Sequence, residues 1–241
     1  MILGYPGHAP IFKEIENAVS QLTDRVVAFN AHYSTPPPGT ILFNLENIGS
    51  RPDSMMHSPD YEIWDFSKVN LPFYPKTAAS KFGGVKHVPI GYHPSMHRFA
   101  RQRDKLDIDV VFAGSINNRR AKLFSDIERR GFRVVLLQNN IYGSERDQVY
   151  ARARLALNIH FYTNPSIFEA VRVSHLVANL VPVLTEDSAF QEELEWGLVG
   201  YPYKDIADKV EETLAETAAD LEQKAYIQLE NFKLRPMSLP R

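Results

Sequence analysis

The stretch LNIHFYTNPSIFEAVRVSHLVANLVPVLTE, residues 157–186, gathers Asn158, His160, Tyr162, Glu169 and Arg172 around one apolar run, a proline-containing loop and the start of a periodic segment. A glutamate can accept hydrogen bonds from two vicinal hydroxyls of a sugar or ribose. An arginine three residues later shares its helix face and can hold either that carboxylate or a phosphate. A second group, GSINNRRAKLF at 114–124, also follows an apolar run. There Gly114 lets the backbone approach a ligand, the N–H groups of Ser115 to Asn118 can face an anion, and Arg119 and Arg120 add fixed positive charge. Together the two groups suit a nucleoside diphosphate with hydroxyls beside it. The residues alone leave plainer readings open: a glycine turn before a capped helix with solvated arginines, and a glutamate favoured at a helix start by the dipole.

These residues need elements to position them, and the chain alternates short apolar runs with helical periods throughout. Strands are expected at 2–5, 25–29, 40–44, 62–64 and 86–90, with a helix over 11–22 whose apolar residues recur at Ile11, Ile15, Ala18, Val19 and Leu22. The loop STPPPG at 34–39 fits neither a helix nor a central strand. A polar, basic connector, centred on 96–106, separates this series from a second one. In the second, strands are expected at 109–113, 132–137, 155–159 and 181–185, and helices at 119–130, 144–153, 168–178 and 188–195. A long helical pattern over 205–232, capped near Asp205, is broken once. The class is therefore α/β with largely parallel sheets in two Rossmann-like halves, and ligands in such sheets sit beyond the carboxyl ends of the strands.

The expected organisation is an N-terminal unit over 1–95, a connector over 96–106, a second unit over 107–204, and a helical segment over 205–241 that packs across both. With 241 residues the chain has ample length for a core, and a formal net charge of −2 supplies no general attraction to nucleic acid or to anionic membrane. There are no cysteines, which excludes disulfides, thiolate metal sites and cysteine nucleophiles. The first ten residues lack a basic leader, and no apolar run approaches the roughly 18 residues of a membrane span, so a cytoplasmic protein is expected.

From Trp64 onward the segments WDFSKVN, KFGGVKHVPIGYHPSMHRF, DVVFAGSINNRR and the 157–186 stretch resemble, in order, the second half of GT-B fold glycosyltransferases of the group-1 type, such as those of bacterial surface-polysaccharide loci. Ser67, residues 88–91 and Arg98-Phe99 occupy the places of that family's strand, helix and connector features. The resemblance spans roughly residues 60 to 215. It implies two Rossmann-like domains facing a central cleft, with a shortened N-terminal domain. It also implies metal-independent transfer of a sugar from a nucleotide-sugar donor to a glycan or lipid-linked acceptor, with retention of configuration and no cofactor.

The resemblance places the donor against Gly114, Ser115, Asn117, Arg119, Arg120, Asn158, His160, Tyr162, Phe168, Glu169 and Arg172. The loop after the first strand, with Gly7 and His8, lies on the acceptor side together with Asn44, Glu46 and Asp65, and His8 and Glu169 are the expected catalytic residues. One position departs from the pattern: His175 stands where the family's second glutamate aligns. A non-catalytic sugar-nucleotide or glycan-binding module and a sugar-nucleotide epimerase of the same fold remain alternatives.

Two spellings suggest metal. Asp107-Ile108-Asp109 has the DxD form but precedes its strand, which puts it at the wrong end of the sheet. His93 and His97 have i, i+4 spacing, but Pro94 lies between them and no third ligand is placed, so a turn with His93 as its cap is expected. The basic run from His97 to Lys105 could touch anionic lipid head groups, although Asp104 interrupts it and a solvated linker is the simpler reading.

Overall fold

The computed structural model describes residues 2–3, 13–32, 35–48, 55–138, 141–164 and 166–240, and Gly7 and His8 fall outside them. The chain divides into two compact units, Met1–Gly91 with Met237–Arg241, and Tyr92–Pro236.

The first unit carries five parallel strands, β1 (Ile2–Leu3), β2 (Val27–Phe29), β3 (Ile41–Asn44), β4 (Glu62–Asp65) and β5 (Lys86–His87), paired in sequence order. Helix α1 (Lys13–Leu22) buries Ile15, Ala18 and Val19, the face its period picks out. The expected strand at 86–90 is paired only over Lys86–His87. Ala28, Leu42 and Ile63 of the central strands form one core with Met56, Ala78 and Ala79.

Two buried carboxylates tie this sheet together at its opposite ends. Glu62, at the amino end of β4, accepts from Arg25 Nη2 (2.5 Å), Lys86 Nζ (2.7 Å) and Trp64 Nε1 (2.9 Å). Burial alone would raise its pKa, and these donors outweigh burial and bring it to about 2. Asp65, at the carboxyl end, accepts from Asn44 Nδ2 (2.7 Å), Tyr74 Oη (2.7 Å), the Ser67 amide (2.8 Å) and Asn70 Nδ2 (3.0 Å). No cation bonds it among the described residues, and burial pushes its pKa up to about 6 against those donors.

The two shifts act on stability in opposite windows. Folded Asp65 keeps a proton that the unfolded chain has lost above about pH 4, so its contribution falls, by about 3 kcal/mol, as pH rises from 4 to 6. Glu62 stabilises above its ordinary pKa of 4.5 and loses about 3 kcal/mol as pH falls from there toward 2. Urea unfolding of Asp65→Asn between pH 4 and 7 should therefore show a more positive slope of stability against pH than the parent; equal slopes would refute the assignment.

The second unit carries β6 (Ile108–Ala113), β7 (Val134–Leu137), β8 (Ala153–Asn158), β9 (Val183–Glu186) and β10 (Gly200–Tyr201), all parallel, in the order β10-β9-β8-β6-β7. Helices α2 (Asn118–Arg129) and α5 (Ile206–Leu214) bury Leu123, Phe124, Ile127, Ile206 and Val210 against Val110, Phe112, Leu155 and Leu157. Helices α3 (Gly143–Tyr150) and α4 (Ala170–Ala178) complete the αβ alternation, and α6 (Ala218–Lys233) packs on α4. The long C-terminal pattern is thus broken once, at 215–217. Helix α6 starts on a full capping box between Thr217 and Asp220, whereas Asp205 makes no side-chain cap.

Several sequence boundaries move. The helix expected over 144–153 stops at Tyr150, because Ala153 already pairs with Ile108 in the sheet. The one expected over 188–195 is a 3-10 turn, Glu192–Trp196. The connector belongs to the second unit by its bonds: Asn179 Oδ1 accepts from the Arg98 and Phe99 amides (2.6 and 3.0 Å), and the Gln102 amide donates to Ala151 O (2.9 Å). His93 caps its turn as expected, accepting from the Ser95 amide.

The strand order has a functional consequence. In the second sheet β6 sends the chain outward to β7 and then back to β8 on its other side, so the connections leave β6 and β8 in opposite directions. In such sheets a reversal of this kind is where a crevice for a ligand forms, here at the carboxyl ends of β6 and β8. The first sheet, running in sequence order, has no such reversal among its described strands.

Candidate functional site

The two sequence groups meet at that crevice. Gly114 ends β6 with φ +147°, and a Cβ there would lie 3.1 Å from Arg172 Nη2 and 3.3 Å from the Phe112 ring. A glycine is therefore what lets Arg172 lie across the strand end, where its Nε donates to Ala113 O (2.9 Å) and its Nη1 to Asn158 Oδ1 (2.8 Å). Asn158, fully buried at the end of β8, in turn donates to Thr185 Oγ1 (2.9 Å).

Asn117 is the N-cap of α2: its Oδ1 accepts from the Arg120 amide (2.9 Å) and its Nδ2 donates to Phe161 O (3.0 Å). Arg120 is 2% exposed. It donates to the carbonyls of Ser115 (2.7 Å) and Ile159 and lies over the rings of Phe112 and Phe161. It bonds no carboxylate among the described residues; burial, followed by the charge of Arg172, lowers its pKa to about 9. Arg119 is committed differently. It grips Glu186 with both terminal nitrogens, donates to His160 O (3.2 Å) and stacks 3.6 Å above the Tyr203 ring.

Glu169 is the N-cap residue of α4, yet its side chain makes no capping bond. Its carboxylate is 37% exposed and its nearest cation, Arg172 Nη2, is 3.9 Å away, too far for a hydrogen bond. The dipole reading of this glutamate accounts for its position and leaves its oxygens open to a ligand. His160 is buried, donating through Nε2 to Asp187 O (2.9 Å) and through its amide to Glu186 (3.0 Å). Tyr162 is half exposed against Phe161, and Ser115 is exposed.

The cluster holds three arginines, Arg119, Arg120 and Arg172, against two glutamates, Glu169 and Glu186, and one glutamate is fully spent on Arg119. Arg120 and Arg172 leave net positive charge at the mouth of the crevice, with an open carboxylate beside it. That arrangement can hold an anion and hydroxyls at once.

Some expected contacts are reassigned by burial. Phe168 is 1% exposed and packs edge-on against Trp196, which stacks on Phe232, so it lies in the core. Arg119 is a structural cross-link, since both terminal nitrogens are engaged by Glu186. His175 is not in the crevice cluster. Its Nε2 lies 2.7 Å from Asp147 Oδ1 and 3.0 Å from Arg146 Nη2, and its ring packs on Phe99 and Tyr150, joining α3 to α4. In the first unit Asn44 and Asp65 are fully buried partners of each other, and Glu46 supplies a carbonyl to Asn44 and Asn70, so Asn44 and Asp65 shape their loop from within.

Asp107 and Asp109 lie at the amino end of β6, engaged by Arg152 and Arg154. Among the described residues no cluster of three metal-ligating side chains occurs, and no helix is long and apolar enough to cross a membrane. Sequence reasoning missed Thr185, Glu186 and Tyr203. The first two end the apolar run VPVLTE at the same sheet edge as Asn158, a placement that could have found them.

No family model matches the chain. It is 28% identical over 212 residues, 83% of its length and 67% of the relative's, to uncharacterized protein R358 of Acanthamoeba polyphaga mimivirus. It is 31% identical over 112 residues to uncharacterized protein L138 of the same virus, covering 45% of the chain and 13% of that relative. A third mimivirus protein, L140, is 24% identical over 157 residues, 62% of the chain and 48% of the relative. The chain thus spans less than half the length of L138 and L140.

Among solved structures it is similar to AviGT4, a glycosyltransferase involved in avilamycin A biosynthesis, with TM-score 0.51, 14% identity, and 96% and 88% of the two chains covered. It is similar too to the N-terminal domain of Candida albicans trehalose-6-phosphate phosphatase, with TM-score 0.53, 11% identity, and 97% and 74% covered. A third is the DNA-modifying enzyme beta-glucosyltransferase, whose substrate is uridine diphosphoglucose, with TM-score 0.50, 16% identity, and 92% and 79% covered. The α/β architecture of two parallel sheets is therefore one that glycosyltransferases use, and at these identities the likeness shows the fold alone.

Proposed function

We propose that the chain is a glycosyltransferase that moves a sugar from a nucleotide-sugar donor to a glycan or lipid-linked acceptor without a metal, in surface-polysaccharide synthesis on the cytoplasmic side of the membrane. The observation that carries this reading is the Arg120 and Arg172 pair at the strand reversal, two cations beside the single uncapped carboxylate of Glu169. The donor diphosphate sits against Gly114, Ser115 and Arg172, with Arg120 supplying charge from beneath. Glu169 accepts hydrogen bonds from two sugar or ribose hydroxyls, and Tyr162 offers a ring face.

As the bond from the sugar anomeric carbon to the diphosphate breaks, negative charge grows on the leaving oxygen. Fixed guanidinium charge at that point lowers the barrier without reorganisation. The acceptor hydroxyl forms the new bond, and its proton passes to a base on the acceptor side, for which His8 is the candidate. Gly7 and Glu46 belong to the same side in this reading.

A second reading, a module that binds nucleotide sugar without transferring it, is favoured by the first sheet, whose described strands run in sequence order without a reversal. Calorimetric titration with UDP-, GDP- and CMP-sugars, followed by a donor-hydrolysis and transfer assay, separates the two. Transfer supports the enzyme, binding alone supports the module, and no binding of any of them defeats both. Glu169→Gln should weaken the bound donor about tenfold, the worth of one charged hydrogen bond. Unchanged affinity would remove Glu169 from the site.

A further inference from the structure

The second unit has another concavity, at the opposite end of its sheet. A pocket of about 250 Å³ opens beside the amino ends of β8 and β9, walled by Arg101, Arg103 and Arg154 on one side and the first turns of α6 on the other. Leu106, Leu180 and Leu221 supply an apolar lining, and Tyr226 on its wall is half exposed.

The charges do not balance. Arg154 is matched by Asp109 (2.9 Å), and Arg103 by Glu222 (3.1 Å), both of whose side chains are largely exposed. Among the described residues Arg101 is hydrogen-bonded by carbonyls alone, those of Leu180 (3.0 Å) and Ala153 (2.5 Å), with Glu222 acting on it from a distance. Its Nε is buried with no hydrogen-bond partner among the described residues. Burial pushes its pKa down to about 10, so its charge persists near neutrality without a bonded counter-ion. The α6 amides add to this: the Thr217 hydroxyl caps only the Asp220 amide, and helical geometry leaves the Ala218 and Ala219 amides without intrahelical carbonyls at the positive end of a 16-residue helix.

We propose that this pocket is a second anion site, which takes a phosphate monoester carrying an aromatic or acyl group. The phosphate would share Arg103 with Glu222 and offset the charge of Arg101, while the organic group lies on the leucines and Tyr226. It is remote from the strand-end crevice, and its occupancy does not depend on the transferase reading.

Phenyl phosphate is the probe, titrated calorimetrically into the full chain. Arg103→Gln, a change at an exposed side chain, should weaken binding about tenfold, and Glu222→Gln should tighten it severalfold by removing the competing carboxylate. No binding, or binding indifferent to both changes, overturns the proposal. So does binding that Arg172→Gln abolishes and Arg103→Gln spares, because the probe then occupies the crevice. Co-sedimentation with phosphatidylcholine vesicles containing phosphatidic acid, competed by phenyl phosphate, would assign the source as a lipid head group. Phenyl phosphate binding without co-sedimentation would assign a free phosphate ester.

Discussion

Exchanging Arg172 for glutamine should weaken nucleotide-sugar binding by about a hundredfold while leaving the chain folded, since a charged hydrogen bond to the donor phosphate, as proposed, would contribute about 2–3 kcal/mol. Arg172 is the cation whose reach is free in part. Its Nε and Nη1 are spent on Ala113 O and Asn158, but Nη2 has only the 3.9 Å approach to Glu169. Arg120 presents no comparable freedom, because its terminal nitrogens hold two backbone carbonyls, and its removal would test folding before binding.

The matching backbone variant is Gly114→Ala. At φ +147° an added Cβ is strained and sits 3.1 Å from Arg172 Nη2, so the side chain must swing away from the strand end. Both variants should lose donor affinity at some cost in the urea midpoint, from backbone strain in Gly114→Ala and from the buried Asn158 oxygen left without its arginine in Arg172→Gln, so binding is compared at temperatures where each is folded. If Arg172→Gln binds every donor as the parent does, the diphosphate does not sit at this strand end and the transferase reading fails with it.

The elements were legible where period and length agreed. The short apolar runs in DVVFA and VPVLTE found β6 and β9, and helical patterning found α1, α2 and the broken C-terminal pair. Strand order was not legible, because it depends on which crossovers pack back over which neighbours, and that order decides where a crevice opens. Site residues were legible as a set of types at one sheet edge, but their division of labour was not. Arg119 and Arg120 are adjacent and chemically identical in sequence. A turn of 100° between them sends one to Glu186 and Tyr203, and the other beneath Ser115 and Ile159. His175 reads as the substitute for a ligand glutamate until the packing of α3 supplies Asp147 as its partner.

Glu186 shows how much of the crevice rests on a residue that sequence reasoning passed over. Its carboxylate is 7% exposed and accepts from two Arg119 nitrogens and from the His160 amide, while Arg119 also stacks on Tyr203, whose hydroxyl returns a bond to Arg119 O (2.6 Å). The cluster fastens the start of α2, the end of β8 and the end of β9 to one another, which fixes the mouth of the crevice. Glu186→Gln keeps the shape but turns an amide donor toward donors and leaves the partly exposed Arg119 without its counter-charge. The expected loss is roughly 2–3 kcal/mol of unfolding free energy, below the cost of breaking a fully buried pair because Arg119 is partly solvated. Arg119→Met in the same background should recover a large part of that loss, since the uncompensated charge goes with it. Urea unfolding of the parent, both single variants and the double variant measures this directly. Additive losses would mean that Arg119 and Glu186 are not coupled, and would return Arg119 to the pool of cations available to a ligand.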